Sequence, residues 1–183
     1  MPDEYREDLN LLILPGGADL SATNKSFLPK FNYQHEKTDS AIEFFRTYIL
    51  DGYIENNIPI FGICLGFQLL ASHFGSKMFA HIDGHQEGFH TVKSNTLELK
   101  VNTFHHQAIM KLSEDLTPYA TAYSKGGSPE CVEAFIHKTK PIAGSQWHAE
   151  RMENLLSSAT YLQTGNLVGD LITHDLITKI MTR

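Results

Sequence analysis

The sequence predicts an α/β fold in which a mainly parallel sheet is flanked by helices. Two nearly continuous apolar runs, residues 9–14 (Leu-Asn-Leu-Leu-Ile-Leu) and 58–63 (Ile-Pro-Ile-Phe-Gly-Ile), each lead into a glycine-bearing turn. That is the pattern of strands covered on both faces. Between them, Ile42, Phe44, Phe45, Tyr48, Ile49 and Tyr53 suggest an amphipathic helix over residues 36–55. Strand, helix and strand then form one right-handed βαβ unit. No repeat, low-complexity tract or Pro/Gly/Ser-rich linker interrupts the chain, so residues 1–183 are expected to make a single domain.

The remaining elements follow in order. Residues 18–33 are polar and irregular, with Pro29 among them, and read as a surface loop. Phe67, Leu70, Ala71 and Phe74 fall at helical spacing, and Gly75 suits a C-terminal cap. Residues 76–92 are short pieces and glycines, and residues 91–101 alternate loosely, as strands of a small antiparallel patch do. Residues 102–107 form a polar loop bearing His105 and His106. Residues 117–124 and 132–137 read as strands joined by a turn over 125–129, and residues 142–147 as a short strand ending at His148. Helices near 152–161 and 166–181 close the chain.

Composition narrows the function. A net charge of −6 gives no support to a nucleic-acid or anionic-membrane partner, and no apolar run approaches a membrane span. The N-terminus is unlike a signal peptide, and two cysteines, Cys64 and Cys131, make no disulfide framework, so a reducing cytoplasm is expected. The ten histidines show no zinc-ligand spacing, and no metal is expected.

Gly62-Ile63-Cys64-Leu65-Gly66 places a cysteine at the centre of a Gly-x-nucleophile-x-Gly turn between strand and helix. The turn lifts the sulfur to the C-terminal edge of the sheet. The helix N-terminus beside it lowers a thiol pKa, and the Leu65 N–H points where an oxyanion forms. The plainer reading is a buried core cysteine. His148-Ala149-Glu150, also just after a strand, supplies a base and a carboxylate to orient it at the same edge.

Four blocks carry a resemblance: Leu14-Pro15-Gly16-Gly17-x-Asp19, Gly62-Ile63-Cys64-Leu65-Gly66-Phe67-Gln68, Val101-Asn102-Thr103-Phe104-His105-His106-Gln107 and Gly144-Ser145-Gln146-Trp147-His148-Ala149-Glu150. In that order the chain resembles the class I glutamine amidotransferases, and within them the γ-glutamyl hydrolase branch that includes γ-glutamyl-γ-aminobutyrate hydrolase. The resemblance implies a three-layer, flavodoxin-like fold. It makes Cys64 the nucleophile, His148 the base and then acid, and Glu150 the orienting carboxylate. It also implies an oxyanion hole from the Leu65 N–H and a backbone N–H of the Gly16-Gly17 loop, taken here as Gly17. Gln68 is then expected at the glutamyl end of the substrate, with His105 and His106 on a substrate-facing loop or in structural roles.

The implied reaction cleaves glutamine or another γ-glutamyl amide through a thioester, without metal or organic cofactor. The alternatives are a glutaminase subunit feeding ammonia to a separate synthetase, and a non-catalytic binding or scaffold protein. Two positions depart from the family. Ala149 replaces its usual proline, and the segment before Pro15 holds about one strand where relatives have strand, helix and strand. A fold shortened at the N-terminus is expected to close the edge near residues 9–14 with a homodimer or synthetase partner.

Overall fold

Strands that are apolar on both faces need cover on both sides, and the central strands of this protein have it. β2 (Ile60–Ile63) and β9 (Ile142–Ser145) run parallel, with Ile60 beside Ile142 and Phe61 beside Ala143. Side chains alternate along a strand. Ile60 and Ile142 therefore join one core with Leu50, Leu69 and Leu70, while Phe61 and Ala143 join another with Ile172, Leu176 and Ile180. The structure is a computed structural model that describes residues 9–21, 26, 44–45, 48–122, 130–152 and 171–183. Within them, α1 (Leu50–Glu55) and α2 (Leu65–His73) cover the first face and α3 (Leu171–Met181) the second, which makes three layers.

β1 (Leu12–Leu14) extends the parallel part beyond β2. On the other side, β9 meets β8 (Cys131–His137) antiparallel, followed by β7 (Leu116–Ala122), β4 (Phe89–Ser94) and β5 (Glu98–Asn102). β6 (Ala108–Lys111) pairs with β8 at Ile109 and Val132 and carries β3 (Lys77–Phe79). The sheet is mixed. Its parallel ladders are those between β1, β2 and β9, which come from the apolar runs, and the others are antiparallel. No strand is expected from sequence at β6, because four residues without turn signals on both sides are too short a pattern to mark one.

α2 ends as expected: Gly75 takes φ +84°, its N–H donates to Ser72 O, and the Ser76 N–H reaches back to Ala71 O. This is the paired hydrogen-bond arrangement that a left-handed residue closes. The acidic N-terminal octapeptide, most of the 18–33 loop, much of the 36–55 helix, the 125–129 turn and the 152–161 helix lie outside the described residues. Among the described residues, no helix is long and apolar enough to cross a membrane.

Candidate active site

β2 ends at Ile63 and α2 begins at Leu65, so Cys64 alone must redirect the chain. It does so at φ +50° and ψ −102°, in a sparsely populated region that costs on the order of 1–3 kcal/mol. Hydrogen bonds hold the turn in place. Cys64 N–H donates to Ser145 O at 2.9 Å, Gly66 N–H to Pro15 O at 3.2 Å and Gln68 N–H to Cys64 O at 3.0 Å. A Cβ on Gly62 would sit 2.7 Å from the Gly66 carbonyl, and one on Gly66 2.3 Å from Leu14 O. Both flanking positions thus need glycine because backbones pass too close for a side chain.

His148 lies between β9 and a 3₁₀ turn, Ala149–Arg151. Asn102, at the end of β5, clamps its backbone. Asn102 Oδ1 accepts from His148 N–H at 2.9 Å, and Asn102 Nδ2 donates to His148 O at 2.8 Å. The ring is held as well: Nδ1 is 2.6 Å from Glu150 Oε1, and a Cβ on Gly16 would come within 2.5 Å of Cε1. The Phe104 ring meets the imidazole edge-on, with centroids 6.0 Å apart. An ionised carboxylate can only accept, so Nδ1 carries the proton and Nε2 is left with its lone pair.

Cys64 is only 6% exposed. Its Sγ accepts a hydrogen bond from Gln146 Nε2 at 3.6 Å, and the Leu65 N–H also bonds to it. Burial dominates its acidity, and the charges of Glu133 and Glu150 add to burial. Together they outweigh Leu65 and Gln146, and the thiol is pushed up to about 12. This corrects the expectation of a lowered thiol pKa. The helix N-terminus pulls in the expected direction, but desolvation wins.

Gln146 is the residue that sequence reasoning passed over. It stands two residues before His148, just past the end of β9, and its place in the Gln-Trp-His block is the available signal. Its Oε1 accepts from Gln68 Nε2 at 3.0 Å, and Gln68 Nε2 also donates to Gln107 O at 2.9 Å. Gln68, expected to hold substrate, is 3% exposed, and its amide nitrogen is occupied in fixing Gln146.

The two adjacent histidines part company. His106 Nε2 lies 2.8 Å from Asp19 Oδ1 and so ties down the loop that follows the exposed Gly17. The His105 ring turns inward instead, with Nδ1 3.0 Å from Gln107 O and Nε2 3.5 Å from Glu133 Oε1. His85 and His90 join it around the same carboxylate. The fold thus gathers three of the histidines that show no zinc spacing in sequence. Burial disfavours the Glu133 charge, yet His105 and His90 outweigh it and hold the carboxyl below the usual range. Burial, aided by His105 and His90, pushes His85 down to about 4. The cluster adjoins the support of Cys64, because Gln146 N–H donates to Glu133 O at 2.7 Å.

A family model described as glutamine amidotransferase class-I matches residues 29–161. The γ-glutamyl-CDP-amidate hydrolase of Campylobacter jejuni is 33% identical over 162 residues, covering 87% of this chain and 70% of its own. A glutamine-hydrolysing GMP synthase subunit of Thermococcus kodakarensis is 32% identical over 135 residues, covering 67% of each. A crystal structure of a GMP synthase subunit from Thermoplasma acidophilum superposes with a TM-score of 0.62 at 25% identity, over 96% of this chain and 74% of that one. The matched segment contains Cys64, His148 and Glu150, and the chain belongs to the class I glutamine amidotransferase family.

Proposed function

We propose that this protein is a cysteine hydrolase that cleaves the γ-amide of glutamine or of another γ-glutamyl amine. The observation that carries the reading is the strained Cys64 turn, set at the same sheet edge as a His148 ring already paired to Glu150. Because the resting thiol is protonated, Cys64 gives its proton to His148 Nε2 as Sγ attacks the amide carbon. Glu150 stabilises the imidazolium that results. The oxyanion is received by the N–H groups of Leu65 and Gly17. His148 then protonates the departing ammonia or amine, which leaves a glutamyl thioester. Water activated by His148 attacks the thioester and frees glutamate. These steps call for no metal or organic cofactor. His105 is placed in the inner cluster and His106 against Asp19, so substrate contact from that loop falls to its exposed Phe104.

Similarity to a synthase subunit favours a second reading, in which the ammonia passes to a separate synthetase. A screen of γ-glutamyl amides for released glutamate, with and without candidate synthetases, separates the two. Turnover by the isolated chain supports the hydrolase, and turnover only with a partner supports the synthetase-linked glutaminase. No release under either condition, or release that survives Cys64→Ala, overturns the catalytic proposal and leaves a binding or scaffold role.

A further inference from the structure

We infer that His85, His90, His105 and Glu133 form a buried four-ligand site for a divalent d-block cation, with zinc as the fitting ion. One nitrogen from each histidine and one carboxylate oxygen all lie within 4.8 Å of one another. The closest separations are 3.3 Å from His85 Nδ1 to His105 Nε2, 3.3 Å from His90 Nε2 to Glu133 Oε2, and 3.5 Å from His105 Nε2 to Glu133 Oε1. Ligands at ~2.0–2.1 Å from zinc in a tetrahedron stand about 3.3–3.4 Å apart; these three separations match that spacing, through Oε2 toward His90 and Oε1 toward His105, and a small contraction of the other pairs completes the set. The imidazole planes are inclined to one another, with the His85 plane at 68° to His90 and 60° to His105.

A second observation points to a missing partner at the same place. Glu133 is fully buried, and its Oε2 faces His90 Nε2 at 3.3 Å without the geometry of a hydrogen bond, while His90 Nδ1 has no hydrogen-bond partner among the described residues. Buried polar atoms rarely go without partners, and a cation at the centre would satisfy the oxygen and one of those nitrogens together. The supporting groups are arranged as metal ligands require. His105 Nδ1 lies 3.0 Å from Gln107 O, which fixes the tautomer that turns the Nε2 lone pair inward. Thr103 Oγ1 and His105 N–H both donate to His85 O, at 2.7 and 2.9 Å, and lock two ligand-bearing segments together. Three imidazoles and one carboxylate suit zinc, and their burial suits a closed structural site rather than a catalytic one. The inference does not depend on the reaction proposed above.

Elemental analysis of the full chain, expressed with zinc and then desalted, tests the site. One zinc per chain is expected, retained in Cys64→Ala and lost in His90→Ala or Glu133→Gln. Adding Zn²⁺ to chelator-treated protein should raise Tm by roughly 5–10 °C at a hundredfold excess over Kd. Co²⁺ titration of the unaltered protein, which needs no variant to fold, should give visible bands of four-coordinate cobalt without thiolate charge transfer. A thiolate band that disappears in Cys64→Ala would put the metal at Cys64 and His148 and overturn the inference. So would a folded, zinc-free chain whose Tm is indifferent to Zn²⁺, because the cluster is then held by hydrogen bonds alone.

Discussion

At Cys64 the protein keeps its thiol protonated, because burial denies a thiolate its water and two carboxylates repel its charge. A folded pKa raised to about 12 means that the thiolate fraction at neutral pH is smaller than for a free cysteine and keeps growing well past pH 9. Iodoacetamide should therefore alkylate Cys64 slowly at pH 7, with a rate still climbing where an ordinary thiol near ~8.5 has levelled off. A plateau at or below pH 8.5 would refute this. The second cysteine serves as the control. Cys64→Ala should cost several orders of magnitude in glutamate release, and Cys131→Ala only a few-fold. Glu150→Gln makes a sharper test, since it should slow turnover by about 10²-fold. Removing its negative charge should at the same time lower the Cys64 pKa and speed alkylation. If both rates moved in the same direction, the pairing of Glu150 with His148 would not be what matters.

Among the elements, the end of β5 holds His148, the proposed base, without touching its ring. Asn102 is buried and makes two hydrogen bonds to the His148 backbone. Asn102→Ala leaves a buried N–H and C=O unpaired, at a cost of about 1–3 kcal/mol each. Chemical denaturation should show lost stability and kinetics a lower kcat, with Asn102→Asp intermediate because it keeps the acceptor and loses the donor. An Asn102→Ala enzyme with unchanged kcat would mean that the Glu150 and Gly16 contacts suffice to hold the ring. This clamp also marks how far the sequence could be read. The Cys64 turn was legible because strand, bend and helix are consecutive and the glycines that permit them flank the cysteine. Asn102 and Gln146 stood in blocks that drew attention, but their tasks come from β5 and β9 arriving at one edge. His85, His90, His105 and Glu133 were illegible as a group, because the β4–β5 ladder and the loops before and after it bring them onto β8. The acidity of Cys64 was misread for the same reason: the helix end is local, and burial is not.

For the molecule as a whole, the open question is the outer side of the sheet. Among the described residues β1 pairs with β2 alone, and Ile13 on it is 51% exposed. An apolar strand with unpaired backbone groups invites association. We expect a homodimer or a stable synthetase complex with this region at or near the contact. Analytical ultracentrifugation should show a species heavier than 20.6 kDa at micromolar concentration. Hydrogen exchange at Leu12–Leu14 should slow on assembly. A monomer with those amides already protected would show that the chain covers its own edge.

Peroxide attacks thiolates in preference to thiols and exposed sulfur in preference to buried sulfur. On the proposed mechanism, a Cys64 that stays protonated and 6% exposed until an amide arrives is therefore spared sulfenic acid formation between turnovers. Its period of risk is confined to the moments when the proton has moved to His148. The same burial that denies Cys64 a resting negative charge thus acts as a shield against oxidation.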